Sequence, residues 1–341
     1  MENAETINDL PKIDLHRHLE GSLRISTLTE LVQVEGLDLP TDEDSLRKLV
    51  QVSPDDPKTS TNFLSKFKFL RDFYRSPEII QRIVRETILD AADDNVRYME
   101  LHFTPFALAQ ARDFPLAEVV EWVIESAMRT ADQAGVGIGL IAGFNRHESI
   151  QLAEQVVQIA IDRKGEGIVG LGLSGNEVDF SAEPFVDLFH AAREAGLNIT
   201  IHAGEWTGAE TVRHAIDKIR ADRIGHGIQI VENPEVVALA RERRTVFEVC
   251  LSSNLQSGVV TRMEDHPLPA MIQAGLQVTL NTDDPGVSNI RLSDEFRIAM
   301  DSLGLSTTTL SALTLVAAQA AFLEPSQKKK LELSLQEQLF S

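Results

Sequence analysis

The feature that most limits what this chain can fold into is an alternation of short β-rich runs with amphipathic helical segments. Strand-like runs, β-branched or apolar and bounded by turn residues, fall at 12–18, 96–103, 136–142, 168–173, 198–202, 223–226, 245–250 and 277–281. Between them, apolar residues recur at helical spacing, as in 148–163, where Ile150, Ala153, Val157 and Ile161 share one face. Further helices are expected at 116–134, at 184–195 with Gly196 as its stop, at 209–219 and at 234–241. Three more, at 292–303, 307–321 and 325–339, follow the last strand and are expected to close the structure. Strand and helix alternating eight times predict an α/β fold, a parallel (β/α)8 barrel of the TIM type. No Gly-x-Gly-x-x-Gly turn follows the first strand to favour a doubly wound sheet. No linker, repeat or low-complexity stretch interrupts the chain, so residues 1–341 read as one domain.

One connection breaks the rhythm. Roughly 80 residues separate the first two strands, far more than one crossover needs. The surplus, at about 22–95, is expected to be a helical lid inserted after the first strand. It holds a helical pattern at 25–34, a polar, Pro-containing stretch at 37–60 and a helix starting at Pro77. In 61–74, Phe63, Phe67, Leu70 and Tyr74 fall at i, i+4, i+7 and i+11. Such a stripe packs into a core by default, and its place in a lid makes it a candidate cavity wall.

The strand ends carry the chemistry. The first offers His16 and His18, whose i, i+2 spacing points both to one face of a strand. Taken alone, that pair reads by default as one hydrogen-bonded core histidine and one exposed histidine. The fourth strand leads to Gly175, the fifth to His202 and Glu205, the sixth ends in His226, and the eighth opens into Asp283 and Asp284. In a barrel these positions converge on one rim. Four of the nine histidines stand at strand ends, whereas His147, His190, His214 and His266 read as surface residues and His102 as a strand residue of undetermined orientation. Three neutral imidazoles and one carboxylate, with room for water, form the ligand set of a catalytic divalent metal, zinc being the best match. Of the two adjacent aspartates only one can face the metal, because strand-like neighbours point apart.

Charge narrows the partners. The formal net charge of -20 excludes a nucleic-acid backbone and an anionic membrane surface, both of which require a basic face. A small neutral or cationic molecule is the expected partner, and nothing in the sequence indicates an oligomeric state. The lone cysteine, Cys250, excludes an internal disulfide or a cysteine-rich zinc site and suits a reducing compartment. Residues 1–10 lack a basic start and an apolar core, and no eighteen apolar residues run together, so a soluble, cytoplasmic protein is expected.

Four motifs occur in order on these strands: His-x-His-Leu-x-Gly at 16–21, His-Ala-Gly-Glu at 202–205, Arg-Ile-Gly-His-Gly at 223–227 and Leu-Asn-Thr-Asp-Asp-Pro at 280–285. Together they resemble the adenosine deaminase family of metal-dependent amidohydrolases, over roughly residues 11–290. The resemblance implies one zinc ion per chain on His16, His18, His202 and Asp283, and a bound water whose pKa the metal lowers. It implies that His226 orients that water and takes up its proton, that Glu205 protonates ring nitrogen 1 of a purine, and that Asp284 contacts ring nitrogen 7. His18, Glu20, the Gly175 backbone and the Phe63 and Phe67 face would complete the substrate site. The implied reaction is hydrolytic deamination of a 6-aminopurine nucleoside, adenosine or 2'-deoxyadenosine, to the 6-oxo product and ammonia.

Two departures bear on the substrate. Adenosine deaminases usually carry Asp where this chain has Glu20, and adenine deaminases of the family tend to carry Glu; Asn176 also stands where Asp is common. Gly225 and the Asn281-Thr282 pair look like the nucleoside branch. Adenine or a modified adenosine-type nucleoside is therefore the alternative substrate. Other chemistries fit less well: a cytidine-type zinc deaminase needs a Pro-Cys-x-x-Cys pair, and binuclear barrel hydrolases need a lysine or carboxylate after the fourth strand, where this chain has Ser174-Gly175. A metal-stabilised binding protein would have no use for Glu205 and His226 beside the metal.

Overall fold

In a computed structural model describing residues 4–340, eight parallel strands pair in sequence order. They are β1 (Lys12–His18), β2 (Val96–Phe103), β3 (Gly137–Asn145), β4 (Ile168–Ser174), β5 (Asn198–Ala203), β6 (Arg223–His226), β7 (Val246–Val249) and β8 (Gln277–Leu280). The expected (β/α)8 barrel is the fold. Leu173 lies opposite Ile201, His202 opposite Gly225 and Ala203 opposite His226, so the ends of β4, β5 and β6 reach one level.

The ring closes in the segment just past β8. His18 N–H donates to the Asp283 carbonyl and Asp283 N–H to the His16 carbonyl, each at 2.8 Å. Below them a side chain replaces the ladder: Leu15 N–H donates to Asn281 Oδ1 at 2.9 Å. Thr282 Oγ1 then donates to the buried Asp14 carboxylate at 2.6 Å. The seam of the barrel and the two rim aspartates thus come from the same few residues.

The outer helices follow from their spacing. Leu116–Ala134 buries Val119, Val120, Val123, Ile124, Ala127 and Ala131, and ends at Gly135 with φ 68°, a left-handed stop that glycine adopts without a side-chain clash. Between β1 and β2 lie the helices Ile25–Glu35, Glu43–Val50, Ser60–Leu70 and Pro77–Asp93. The last packs against Leu116–Ala134 in the outer ring, while Ser60–Leu70 carries side chains to the rim. That helix is followed by a 3-10 turn at Arg71–Phe73, so buried Tyr74 lies beyond the stripe to which its spacing would assign it.

Other boundaries shift for local reasons. β3 runs to Asn145 rather than 142, because Phe144 stays in register and packs on Phe185 and Phe189 at ring distances of 5.1 and 5.6 Å. The helix expected at 209–219 is α-helical to His214, then a π turn over Ala215–Ile219 ended by Arg220 at φ 61°. No helix among the described residues is long and apolar enough to cross a membrane.

Deep in the barrel, Arg223 is bound by both Glu100 and Glu248, and all three are buried. The chain after β8 completes this layer, as expected of a closing tail. Phe322 lies under the guanidinium at 3.5 Å and the Ala320 carbonyl accepts from Arg223 Nη1 at 3.0 Å. A buried charge needs such partners.

The seam yields a stability prediction. Asn281→Ala leaves the buried Leu15 N–H without its acceptor, and an unsatisfied buried donor costs about 1–3 kcal/mol. Urea denaturation is expected to show that loss; an unchanged midpoint would mean the seam does not depend on this side chain.

Candidate active site

Above the charged layer the strand ends meet. His16 Nδ1 donates to Glu248 Oε2 at 2.8 Å, and His202 Nδ1 donates to the Leu173 carbonyl at 3.0 Å. Both acceptors fix the proton on Nδ1 and leave a lone pair on Nε2. Those Nε2 atoms are 3.1 Å apart, and His18 Nε2 is 3.2 Å from His16 and 3.4 Å from His202. Asp283 Oδ1 lies 3.5 Å from His16 Nε2 and 3.4 Å from His18 Nε2. Lone pairs and a carboxylate facing one another repel unless a cation lies among them. A tetrahedral ion with bonds of about 2.0–2.1 Å separates its ligands by about 3.3–3.4 Å, so this donor set fits a divalent metal. The four expected ligands, His16, His18, His202 and Asp283, lie together in one cluster.

Local backbone shape makes the cluster possible. A Cβ on Gly225 would sit 2.8 Å from His16 Cε1 and 3.2 Å from His202 Nδ1, so glycine lets the two rings pack. His226 and Asp283 have φ of 58° and 59°, a region unfavourable for residues with a β-carbon. At both positions the chain leaves its strand sharply and the side chain turns inward.

The carboxylates around the cluster divide into two groups. Burial, reinforced by the charges of Asp283 and Glu177, pushes Glu205 well above the usual carboxylate range. Burial, with Asp283 and Glu20 nearby, does the same to Asp284, whose Oδ1 is buried without a partner. A Cβ on Gly21 would fall 1.8 Å from that oxygen, which accounts for the glycine in the first motif. Glu20 accepts from Thr104 N–H at 2.5 Å, leaves Oε2 unpartnered, and is pushed up by burial to about 7. Glu248 is held well below the usual range because Arg223 and His16 overcome its burial.

Glu177 is a functional residue that sequence reasoning missed. Its carboxylate accepts from the backbone N–H of Gly204 at 2.6 Å, Glu205 at 3.0 Å and Trp206 at 3.1 Å, and from the hydroxyls of Thr207 and Thr211. Despite burial, the Thr207, Thr211 and Gly204 donors lower its pKa. It fixes the loop that carries Glu205 and supplies a charge beside it. The only sequence signal was an acid directly after Gly175-Asn176, with nothing to show that it spans to the next loop.

The cluster opens into a cavity of about 720 Å³. His18, Glu205, His226 and Asp284 line its base, with Gly175 and Glu20 on its sides. Phe63 and Phe67 form a wall, whereas Leu70 and Tyr74 of the expected stripe are buried and do not line the cavity. Trp206, Lys68 and Arg71 also line it and were not singled out by the sequence. His226 Nε2 lies 3.6 Å from Glu205 Oε2 and 3.7 Å from Asp283 Oδ2. His16 sits behind, fully buried.

One histidine differs from expectation, and the orientation left open for another is settled. His266 is buried rather than on the surface, because both ring nitrogens find partners in Leu268 N–H and Asn254, and burial pushes its pKa down to about 3. His102 faces inward, 4.9 Å from the His16 ring and 5.0 Å from the His18 ring, and donates from Nε2 to the Leu15 carbonyl. His147 is exposed at the cavity mouth, and His190 and His214 are half-buried.

The sequence profile of the adenosine deaminase family matches residues 11–338. The chain belongs to the adenosine deaminase family. An adenosine deaminase of Enterococcus faecalis is 35% identical over 325 residues, covering 95% of this chain and 96% of the relative. Among solved structures, an adenine deaminase from Arthrobacter aurescens is 28% identical with a TM-score of 0.89, covering 97% of this chain and 100% of that one. An N6-methyl-AMP deaminase from Arabidopsis thaliana is 28% identical with a TM-score of 0.86, covering 98% of each chain. This adenosine deaminase family member is a metal-dependent aminohydrolase.

The ligand geometry generates a second prediction. Glu248→Gln removes the charge that orients His16, and loss of such a supporting partner weakens metal binding ~10–100-fold. Competition against a chromogenic chelator measures this; unaltered affinity would detach Glu248 from the metal centre.

Proposed function

We propose that this chain is a zinc-dependent enzyme that hydrolyses adenosine and 2'-deoxyadenosine to inosine and 2'-deoxyinosine, releasing ammonia. The observation that carries this reading is the three-imidazole and carboxylate cluster facing the buried Glu205, with His226 Nε2 3.6 Å from that carboxyl. His16, His18, His202 and Asp283 would hold the ion, and three nitrogen donors with one oxygen favour zinc over magnesium or calcium. When bound, zinc lowers the pKa of a water molecule so that hydroxide is available near neutral pH. One ion per chain is expected, because Ser174 and Gly175 offer no lysine or carboxylate to bridge a second.

The protein's own groups then treat the purine as follows. Glu205 donates its proton to ring nitrogen 1, which makes carbon 6 electrophilic; its raised pKa keeps that proton available. Asp284, pushed toward its neutral form by burial, donates to ring nitrogen 7, which carries a lone pair and no hydrogen, and its Oδ1 has no other partner. The Gly175 backbone meets ring nitrogen 3. His226 orients the attacking water, and Phe63 and Phe67 cover the ring and exclude solvent. A cytoplasmic setting suits the lone buried Cys250.

The choice of nucleoside rests on Glu20. Its Oε2 is a buried acceptor without a partner at the side of the cavity, which a sugar hydroxyl would satisfy. The enterococcal relative's name agrees with a nucleoside. Free adenine is the second reading, favoured by glutamate rather than aspartate at this position and by the likeness to the Arthrobacter enzyme. Modified adenosine-type compounds would occupy the same site.

Initial rates with adenosine, 2'-deoxyadenosine and adenine, measured on zinc-loaded protein, test the proposal. A site built around sugar contacts rejects a substrate lacking them ~100-fold or more in kcat/KM, and Glu20→Ala is expected to narrow that gap. Preference for adenine that survives Glu20→Ala would reverse the substrate and leave the metal site unaffected.

A further inference from the structure

Behind His226, away from the cavity, runs a buried chain of polar groups that the reaction described above does not use. His226 Nδ1 is 3.1 Å from Asn254 Nδ2, Asn254 Oδ1 is 3.2 Å from His266 Nε2, and Leu268 N–H donates to His266 Nδ1 at 3.1 Å. His226, Asn254 and His266 are 1%, 0% and 3% exposed, so bulk solvent does not compete for these direct bonds.

The direction of every bond in this chain follows from its far end. A backbone N–H can only donate, so His266 Nδ1 must accept from Leu268. Neutral His266 therefore carries its hydrogen on Nε2 and donates it to Asn254 Oδ1. Once the amide oxygen is engaged there, the amide nitrogen is the group turned to His226, and it too can only donate. His226 Nδ1 must then be the acceptor, and the ring's one hydrogen sits on Nε2, facing Glu205 Oε2 at 3.6 Å and Asp283 Oδ2 at 3.7 Å. Reversing His226 would set two donors against each other at Asn254. Flipping the amide moves that conflict to His266, and flipping His266 moves it to Leu268, where no further adjustment exists.

We propose that Asn254 and His266 are positioning residues that fix the hydrogen-bond polarity of His226, so that it presents an N–H from Nε2 to the attacking water oxygen. With the water's proton passed to solvent at the lowered pKa a bound metal would give it, His226 orients the resulting hydroxide as a donor: of its three lone pairs one accepts from Nε2–H and one stays free for carbon 6. This replaces the proton acceptor that family resemblance implies for the same residue. The metal-holding imidazoles have the opposite polarity, with His16 and His202 carrying their hydrogens on Nδ1. One rim therefore holds both forms of the ring, each set by its support.

The inference rests on the placement of His226 beside the water in the proposed reaction, and its first test is independent of activity. Two-bond proton–nitrogen correlation spectra of 15N-histidine-labelled, zinc-loaded protein report which ring nitrogen bears hydrogen. His226 and His266 are expected in the Nε2–H form, with the ring signal lost in His266→Gln identifying His266 and the signal that moves in Asn254→Asp identifying His226. Asn254→Asp places an acceptor against Nδ1, and is expected to move the His226 hydrogen to that nitrogen. Turnover should then fall ~100-fold, the scale of losing one preorganised donor, with KM and zinc content nearly unchanged. His266→Gln, which can still donate to Asn254, is expected to keep turnover, whereas His266→Leu should lower it. Wild-type His226 found with its hydrogen on Nδ1, or Asn254→Asp turning over at the normal rate, overturns the assignment. A protein that deaminates no purine but shows His226 in the Nε2–H form would fail the proposed function while keeping this polarity.

Discussion

A carboxylate can lie buried among imidazoles only if a cation shares its charge, and in this barrel Arg223 does that for Glu248. The consequences run upward from that pair. Glu248 stays ionised, accepts from His16 Nδ1 and from Thr200 Oγ1, and so turns the His16 lone pair toward the rim. Arg223 in turn depends on Glu100, on the Phe322 ring and on the Ala320 carbonyl. The C-terminal helices are thereby coupled to the imidazole cluster through two side chains. A site that assembles donors from β1, β5 and the segment after β8 needs such a shared anchor, because each strand end alone leaves its histidine free to rotate.

The same economy of charge separates the carboxylates at the rim. Glu177 is surrounded by backbone N–H groups and threonine hydroxyls, which stabilise its ionised form. Glu205, four residues beyond the strand residue Ile201 and itself held by Glu177, has no such donors and is pushed toward its neutral form. Like charges placed close together, one supported and one not, are how a single site holds both an anion and a proton donor near neutral pH. Asp283 and Asp284 repeat the division: one faces the imidazoles, the other faces the cavity with an unpartnered oxygen.

The barrel was legible because its determinants are local: eight strand-length runs, their crossovers and the chemistry at their ends are visible within a few residues of one another. The histidine cluster was legible for the same reason, since histidine is scarce and four of nine fall at strand ends. What escaped was set by pairing across loops. Glu177 meets residues 27 to 34 positions away, and Asn254 joins His226 to His266 across 28 and 12 positions. Glu248 reads as an ordinary strand residue until its neighbours on β5 and β6 are known. His266 has the polar surroundings of a surface loop in sequence, and only the fold shows that both its nitrogens are satisfied in the interior. Tyr74 misled by fitting a helical period that the chain abandons one turn earlier.

On the function proposed above, the rim is shaped for a purine protonated at nitrogen 1 and tetrahedral at carbon 6, rather than for the flat substrate. The most direct measurement is the dissociation constant of a 6-hydroxy-1,6-dihydropurine ribonucleoside, compared with that of inosine, on zinc-loaded wild-type protein and on Glu205→Gln. An enzyme complementary to the transition state binds such an analogue ~10²-fold or more tightly than a planar ligand. The account predicts that preference in the wild type and its collapse in Glu205→Gln, with zinc retained. Equal affinity for the two ligands in the wild type, or a preference untouched by Glu205→Gln, would contradict it.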